Sequence, residues 1–180
     1  DQSVLLNERG ERFADESRAD HESTQLTLRQ PGARALLVWD ERVQQEAALV
    51  PVVAGAAPMD KFEVALAAGA TGALLPDLEA VAGYAASLGL DAEASRRTLR
   101  DYNARMARGP ETATPGRERH ARPVDVAPYR ALVVVPAITF TFASPATTER
   151  SPARQRSSAA SSSFPGRPPE PCSDSPNSTF

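Results

Sequence analysis

The sequence predicts an α+β domain followed by a low-complexity tail. Three observations carry that prediction. SVLLN and ALLVW are short apolar runs, and VVVPAITFTF is dominated by the β-branched and aromatic residues that suit pleated, half-buried strands. Leu78, Val81, Ala82, Ala85 and Leu88, and then Leu99, Tyr102 and Met106, recur at the spacing of one apolar helix face. From Ala143 onward Ser and Pro replace this patterning. A stretch of that kind buries too little apolar surface to offset its chain entropy, so disorder is expected there.

Taken in order, Ser3 to Asn7 reads as a short strand, Asn7-Glu8-Arg9-Gly10 as a turn, and Glu11 to Phe13 as the returning strand. Asp20 to Gln30 reads as a helix ended by Pro31-Gly32. Ala35 to Trp39 is a buried strand, and Asp40 is placed to cap a helix over Glu41 to Leu49. Val50 to Pro76 is rich in Ala, Gly, Val and Pro, and only a short helix over Lys61 to Ala68 is legible in it. Asp77 and Gly89 bracket one helix, and Asp91 opens another over Ala92 to Met106. Gly109 to Ala127 is a loop carrying Pro, Arg and His120. Arg130 to Val135 is a strand broken by Pro136, and Ile138 to Phe142 is a second one. On that second strand Ile138, Phe140 and Phe142 share one face, and Thr139 and Thr141 the other.

Composition excludes several classes. A net charge of −3 gives no reason to expect a nucleic-acid partner. The single cysteine, Cys172, excludes an intramolecular disulfide framework and a cysteine metal site. His21 and His120 have no further ligands at metal-binding spacing. No apolar run is long enough to span a bilayer, and no basic-then-apolar leader opens the chain. The first residue is Asp rather than Met, so a processed chain or a fragment is expected, in a reducing, cytoplasmic setting.

Four stretches carry a family resemblance: VLLNERGERFADE; Gln-Pro-Gly followed by ALLVWD; a helix pair joined by Leu-Gly-Leu-Asp and ending in Tyr102-Asn103; and Pro-x-Ile-Thr-Phe-Thr-Phe at Pro136 to Phe142. Together they resemble the capping (substrate) domain of the fumarate reductase/succinate dehydrogenase-like flavoproteins. The resemblance implies a capping domain over 1–127, strands returning toward a flavin domain over 128–142, and a tail over 143–180. Where the family continues with a Gly-Gly pair, Ala143 and Ser144 stand here. The family's fumarate reductases carry two histidines at the place of Thr139 and Phe140, and the Thr-Phe-Thr form is more similar to the tricarballylate dehydrogenase branch.

The implied parent activity is hydride transfer between a small carboxylate's C–C bond and FAD, with cap side chains handling the proton. The resemblance offers Glu16, Arg18 and Arg42 as catalytic candidates, and Thr139, Thr141 and His21 as substrate-binding candidates. Arginine suits carboxylates because its fork meets both oxygens. Glu16 and Arg18 depart from the fumarate reductase spacing, and Arg42 lies about two residues out of register. No Gly-x-Gly-x-x-Gly occurs, so no residue of this chain is assigned to the cofactor. The expected outcome is a chain inactive alone. A non-enzymatic α+β binding module, or a gene remnant without flavin, is the alternative.

Overall fold

The computed structural model describes residues 2–48, 55, 57–109 and 115–137. The chain divides into two units, Asp1–Thr139 and Phe140–Phe180, and every described residue lies in the first. Its elements are β1 (Val4–Leu6), α1 (Asp20–Leu28), β2 (Ala35–Trp39), α2 (Glu41–Ala48), α3 (Lys61–Ala67), β3 (Gly72–Leu75), α4 (Leu78–Ser87), α5 (Ala92–Arg108) and β4 (Tyr129–Val134). The strands form one sheet in the order β1-β2-β4-β3, with every pairing antiparallel. No helix among the described residues is long and apolar enough to cross a membrane.

Strand alternation sends the sheet's side chains to two different surroundings. Val4, Leu6, Leu36, Val38, Tyr129 and Ala131 face α4 and α5, where Val81, Ala85, Leu99, Tyr102 and Met106 complete the main core. The opposite face is covered at two separate places. Leu5 and Ala35 pack with Ala14, Phe13 and Leu26 beside α1, whereas Trp39 packs with Val43 and Phe62 of α2 and α3. Leu37 borders both clusters.

Side-chain caps fix where the helices start. Asp40 accepts the Val43 N–H at 3.0 Å, Asp60 those of Phe62 and Glu63, Asp77 that of Ala80, and Asp91 that of Ala94. Gly10 is fixed by its surroundings. It has φ +71°, and a Cβ there would lie 2.5 Å from the Ser95 nitrogen and 2.7 Å from the Asp91 oxygen. The turn therefore lies directly on the start of α5, and the Asp91 N–H donates to the Glu8 carbonyl at 3.1 Å.

Several boundaries differ from the sequence reading. The returning strand Glu11 to Phe13 reduces to a single bridge, Leu6 to Arg12, because the chain turns away at Asp15, whose carboxylate accepts both the N–H and the hydroxyl of Ser17. Strand β3 was not anticipated in the Ala/Gly-rich stretch. Strand β4 begins one residue earlier than expected, at Tyr129, and ends at Val134, and α5 runs two residues further than expected, to Arg108. Pro31–Ala33 forms a short 3-10 turn rather than a bare break. The expected strand over Ile138 to Phe142, with Thr139 and Thr141, and the expected disordered tail from Ala143 lie outside the described residues.

Candidate functional site

Glu16 is the centre of a buried charged cluster. It is 3% exposed. Its Oε1 accepts the Leu5 N–H at 2.9 Å and Arg12 Nε at 3.1 Å. Its Oε2 accepts Arg12 Nη2 at 2.7 Å and Arg117 Nη1 at 3.0 Å. Arg117 Nη1 also donates to the Ser3 carbonyl at 2.8 Å, and Arg12 donates to the carbonyls of Pro115 and Gly116. Both guanidiniums lie over the Tyr102 ring, 5.3 and 5.9 Å from its centroid. Burial pushes the Tyr102 hydroxyl pKa up; Glu16 adds to this, and the two arginines oppose it without reversing it.

The same cluster ties residues 115–119 to the limb that follows the hairpin turn. Asp15 accepts the Glu118 N–H at 3.0 Å, and the Ser17 hydroxyl accepts that of Arg119 at 3.0 Å. Burial would raise the Asp15 pKa, but hydrogen bonds from Ser17 and Glu118, with the Arg12 charge nearby, hold it below its usual value. Farther along, Asp40 is fully buried and does two jobs. Oδ1 caps α2, while Oδ2 accepts the N–H groups of Asp125 and Val126 at 3.1 Å each.

Glu16 also borders a groove of about 210 Å³ on the less covered sheet face. Leu5, Leu37 and Val134 line it from the sheet, Ser23, Thr24 and Thr27 from α1, and Val135-Pro136 where the chain leaves β4. The hydroxyl hydrogens of Thr24 and Thr27 are donated to the carbonyls of Asp20 and Ser23, so these oxygens retain acceptor capacity. Two carboxylates, Glu16 and Asp20, and the α1 hydroxyls thus come together beside the end of β4.

The other candidates stand apart from it. Arg18 is exposed and pairs with Glu22 at 3.0 Å and Glu118 at 3.9 Å. His21 is exposed on α1 and does not line the groove. Arg42 is on α2, paired with Asp125 at 3.3 Å, and lines no part of the groove. Thr139 and Thr141 lie outside the described residues. Sequence reasoning missed Arg12, Arg117 and the second role of Asp40. Arg12 falls inside the hairpin stretch GERF and was legible only as part of that motif, whereas Arg117 sits in an irregular loop without periodicity.

The described residues do not fit a flavin dinucleotide. A pyrophosphate is held by backbone N–H groups at a Gly-rich turn and helix N-terminus. Here aspartates cap α2, α3, α4 and α5, and α1 opens with Asp20 and Glu22 in its first turn. Each of these termini already carries negative charge, which repels phosphate. Among the described residues, no group of three or more His, Cys, Asp or Glu is placed to hold a metal ion.

No protein-family model and no curated protein matches the chain. Solved structures do. Over 76% of its length the chain is similar to the open conformation of a flavocytochrome c3 fumarate reductase, with 25% identity and a TM-score of 0.57, covering 21% of that chain. It is similar to a 3-ketosteroid-Δ4-(5α)-dehydrogenase from Rhodococcus jostii over 73% of its length and 24% of that chain, at 23% identity and a TM-score of 0.51. The solution structure of a fumarate reductase flavoprotein subunit from Lactobacillus plantarum matches 78% of this chain and 87% of that one, at 15% identity and a TM-score of 0.55. The chain thus spans less than a quarter of the first two proteins and most of the third. Its fold is one found within flavoprotein oxidoreductases of the fumarate reductase and steroid dehydrogenase type.

Proposed function

We propose that this chain is the substrate-capping part of an FAD-dependent oxidoreductase acting on a small carboxylate or a related C–C bond, and that it is inactive without a flavin-holding partner domain. The observation that carries the reading is the match of 76% of the chain to 21% of a fumarate reductase at 25% identity. The four motif stretches support the same assignment, with capping residues 1–127 and return strands in 128–142. The Thr139-Phe140-Thr141 form favours a tricarballylate-like branch, and the setting proposed is cytoplasmic. In this reading Glu16, Arg18, Arg42, His21, Thr139 and Thr141 are the candidates that the resemblance offers.

One observation favours a second reading, a non-enzymatic binding module. Both oxygens of Glu16 are engaged by Arg12, Arg117 and the Leu5 N–H, which suits a structural carboxylate better than a proton relay. The test is a titration of the purified chain with FAD, followed by flavin fluorescence, together with dye reduction in the presence of tricarballylate and other polycarboxylates. The expected result is neither saturable flavin binding nor substrate-dependent reduction by the chain alone. Saturable binding in the low micromolar range, or reduction without a partner domain, would overturn it.

A further inference from the structure

The second groove on the same sheet face has a different character. It is an open groove of about 320 Å³ between the sheet and helices α2 and α3, at the lower end of the size range of small-ligand sites. Leu37, Trp39, Val43, Phe62 and Leu132 make its apolar lining. Its aromatic wall is fixed in place. Trp39 and Phe62 meet edge to face with ring centroids 5.5 Å apart. The Trp39 indole N–H donates to Gln44 Oε1 at 2.9 Å, and the Gln44 side chain also bonds the Asp60 carboxylate. Arg130 lies over the Phe62 ring at 5.9 Å and is itself paired with Glu41 at 2.7 Å. A wall held this way loses little side-chain entropy when a ligand arrives.

Charge adds direction. Lys61 is the only lysine in the chain, and it lines this groove. It is exposed, and among the described residues no carboxylate lies within ion-pair distance of it, whereas Arg130, beside the same wall, is paired. An ammonium on a flexible four-carbon stem at the edge of an apolar cleft is suited to a ligand that is flat and apolar at one end and anionic at the other.

We infer that this groove is a binding site for aryl carboxylates or chemically similar flat apolar anions, separate from the groove beside Glu16. The inference does not depend on the oxidoreductase reading, and its test uses no flavin.

Trp39 is the sole tryptophan, so one indole N–H resonance in a ¹H–¹⁵N spectrum of the full chain reports on the groove. The probes are 2-naphthoate and the neutral 2-naphthylmethanol. Saturable movement of the Trp39 resonance is expected with both, tighter for naphthoate. Lys61→Gln should weaken naphthoate about five-fold, the scale of one exposed ion pair, and leave the alcohol unchanged. Ala47→Phe, which fills the groove from α2, should weaken both probes while the remaining spectrum stays folded. No saturable shift of the Trp39 resonance, or equal affinity of Lys61→Gln and the parent chain for naphthoate, overturns the inference.

Discussion

Replacing Glu16 by Gln isolates the buried cluster. The shape is kept, and one amide oxygen still serves the Leu5 N–H. The charge is lost, and an NH₂ group then faces donors from Arg12 and Arg117, whose side chains are 3% and 0% exposed. Breaking a buried ion pair by neutralising one partner costs about 3–5 kcal/mol. For a chain of this size each kcal/mol lowers Tm by about 2–4 °C, so a fall of about 6–20 °C is expected. Thermal unfolding followed by far-UV circular dichroism measures it. Adding Arg117→Met to Glu16→Gln should cost less than the sum of the two single changes, by about 1 kcal/mol or more, because the orphaned cation is removed. A loss under about 1 kcal/mol for Glu16→Gln would refute the account of Glu16 as the counter-charge that holds the hairpin limb to residues 115–119.

Asp40→Ala removes a cap and leaves the N–H groups of Asp125 and Val126 without their acceptor, so a loss of about 2–4 kcal/mol is expected in chemical denaturation. Gly10→Ala places a Cβ against the backbone of Ser95 and Asp91 at positive φ, and a loss of at least about 2 kcal/mol is expected by the same assay. Burial raises all three tyrosines, Tyr84, Tyr102 and Tyr129, above the usual value of 10.0, so phenolate absorbance of the native chain should appear at higher pH than in urea. The Asp15 and Glu41 carboxyls are held below their usual values of 3.8 and 4.5. Their stabilisation is present above those values and is lost as pH falls through the lower folded-state ones; an acid unfolding curve should be flatter for Asp15→Asn.

The sequence is legible where local chemistry and packing agree. Ala35–Trp39 reads as a strand because its alternation feeds two cores, and Asp77 and Asp91 read as caps because their carboxylates meet the N–H groups three residues on. Gly72–Leu75 does not read as a strand. It is four residues long with no β-branched residue, and its pairing with β4 comes from distant chain. The two grooves were equally hidden, since each joins residues from at least three elements. Glu16 was singled out by resemblance alone, and its arginine partners are four and 101 residues away, so local pattern reading finds at most the first.

The central claim is that this chain caps a flavin site held elsewhere. Its most direct test replaces the matched 21% of the flavocytochrome c3 fumarate reductase with the described unit of this chain and measures flavin content and carboxylate-dependent dye reduction of the purified chimera. The account predicts a chimera that retains flavin and is reduced by a di- or tricarboxylate, with activity lost when this chain's unit is deleted. A chimera that folds and retains flavin but shows no carboxylate-dependent reduction with any of these substrates would contradict it.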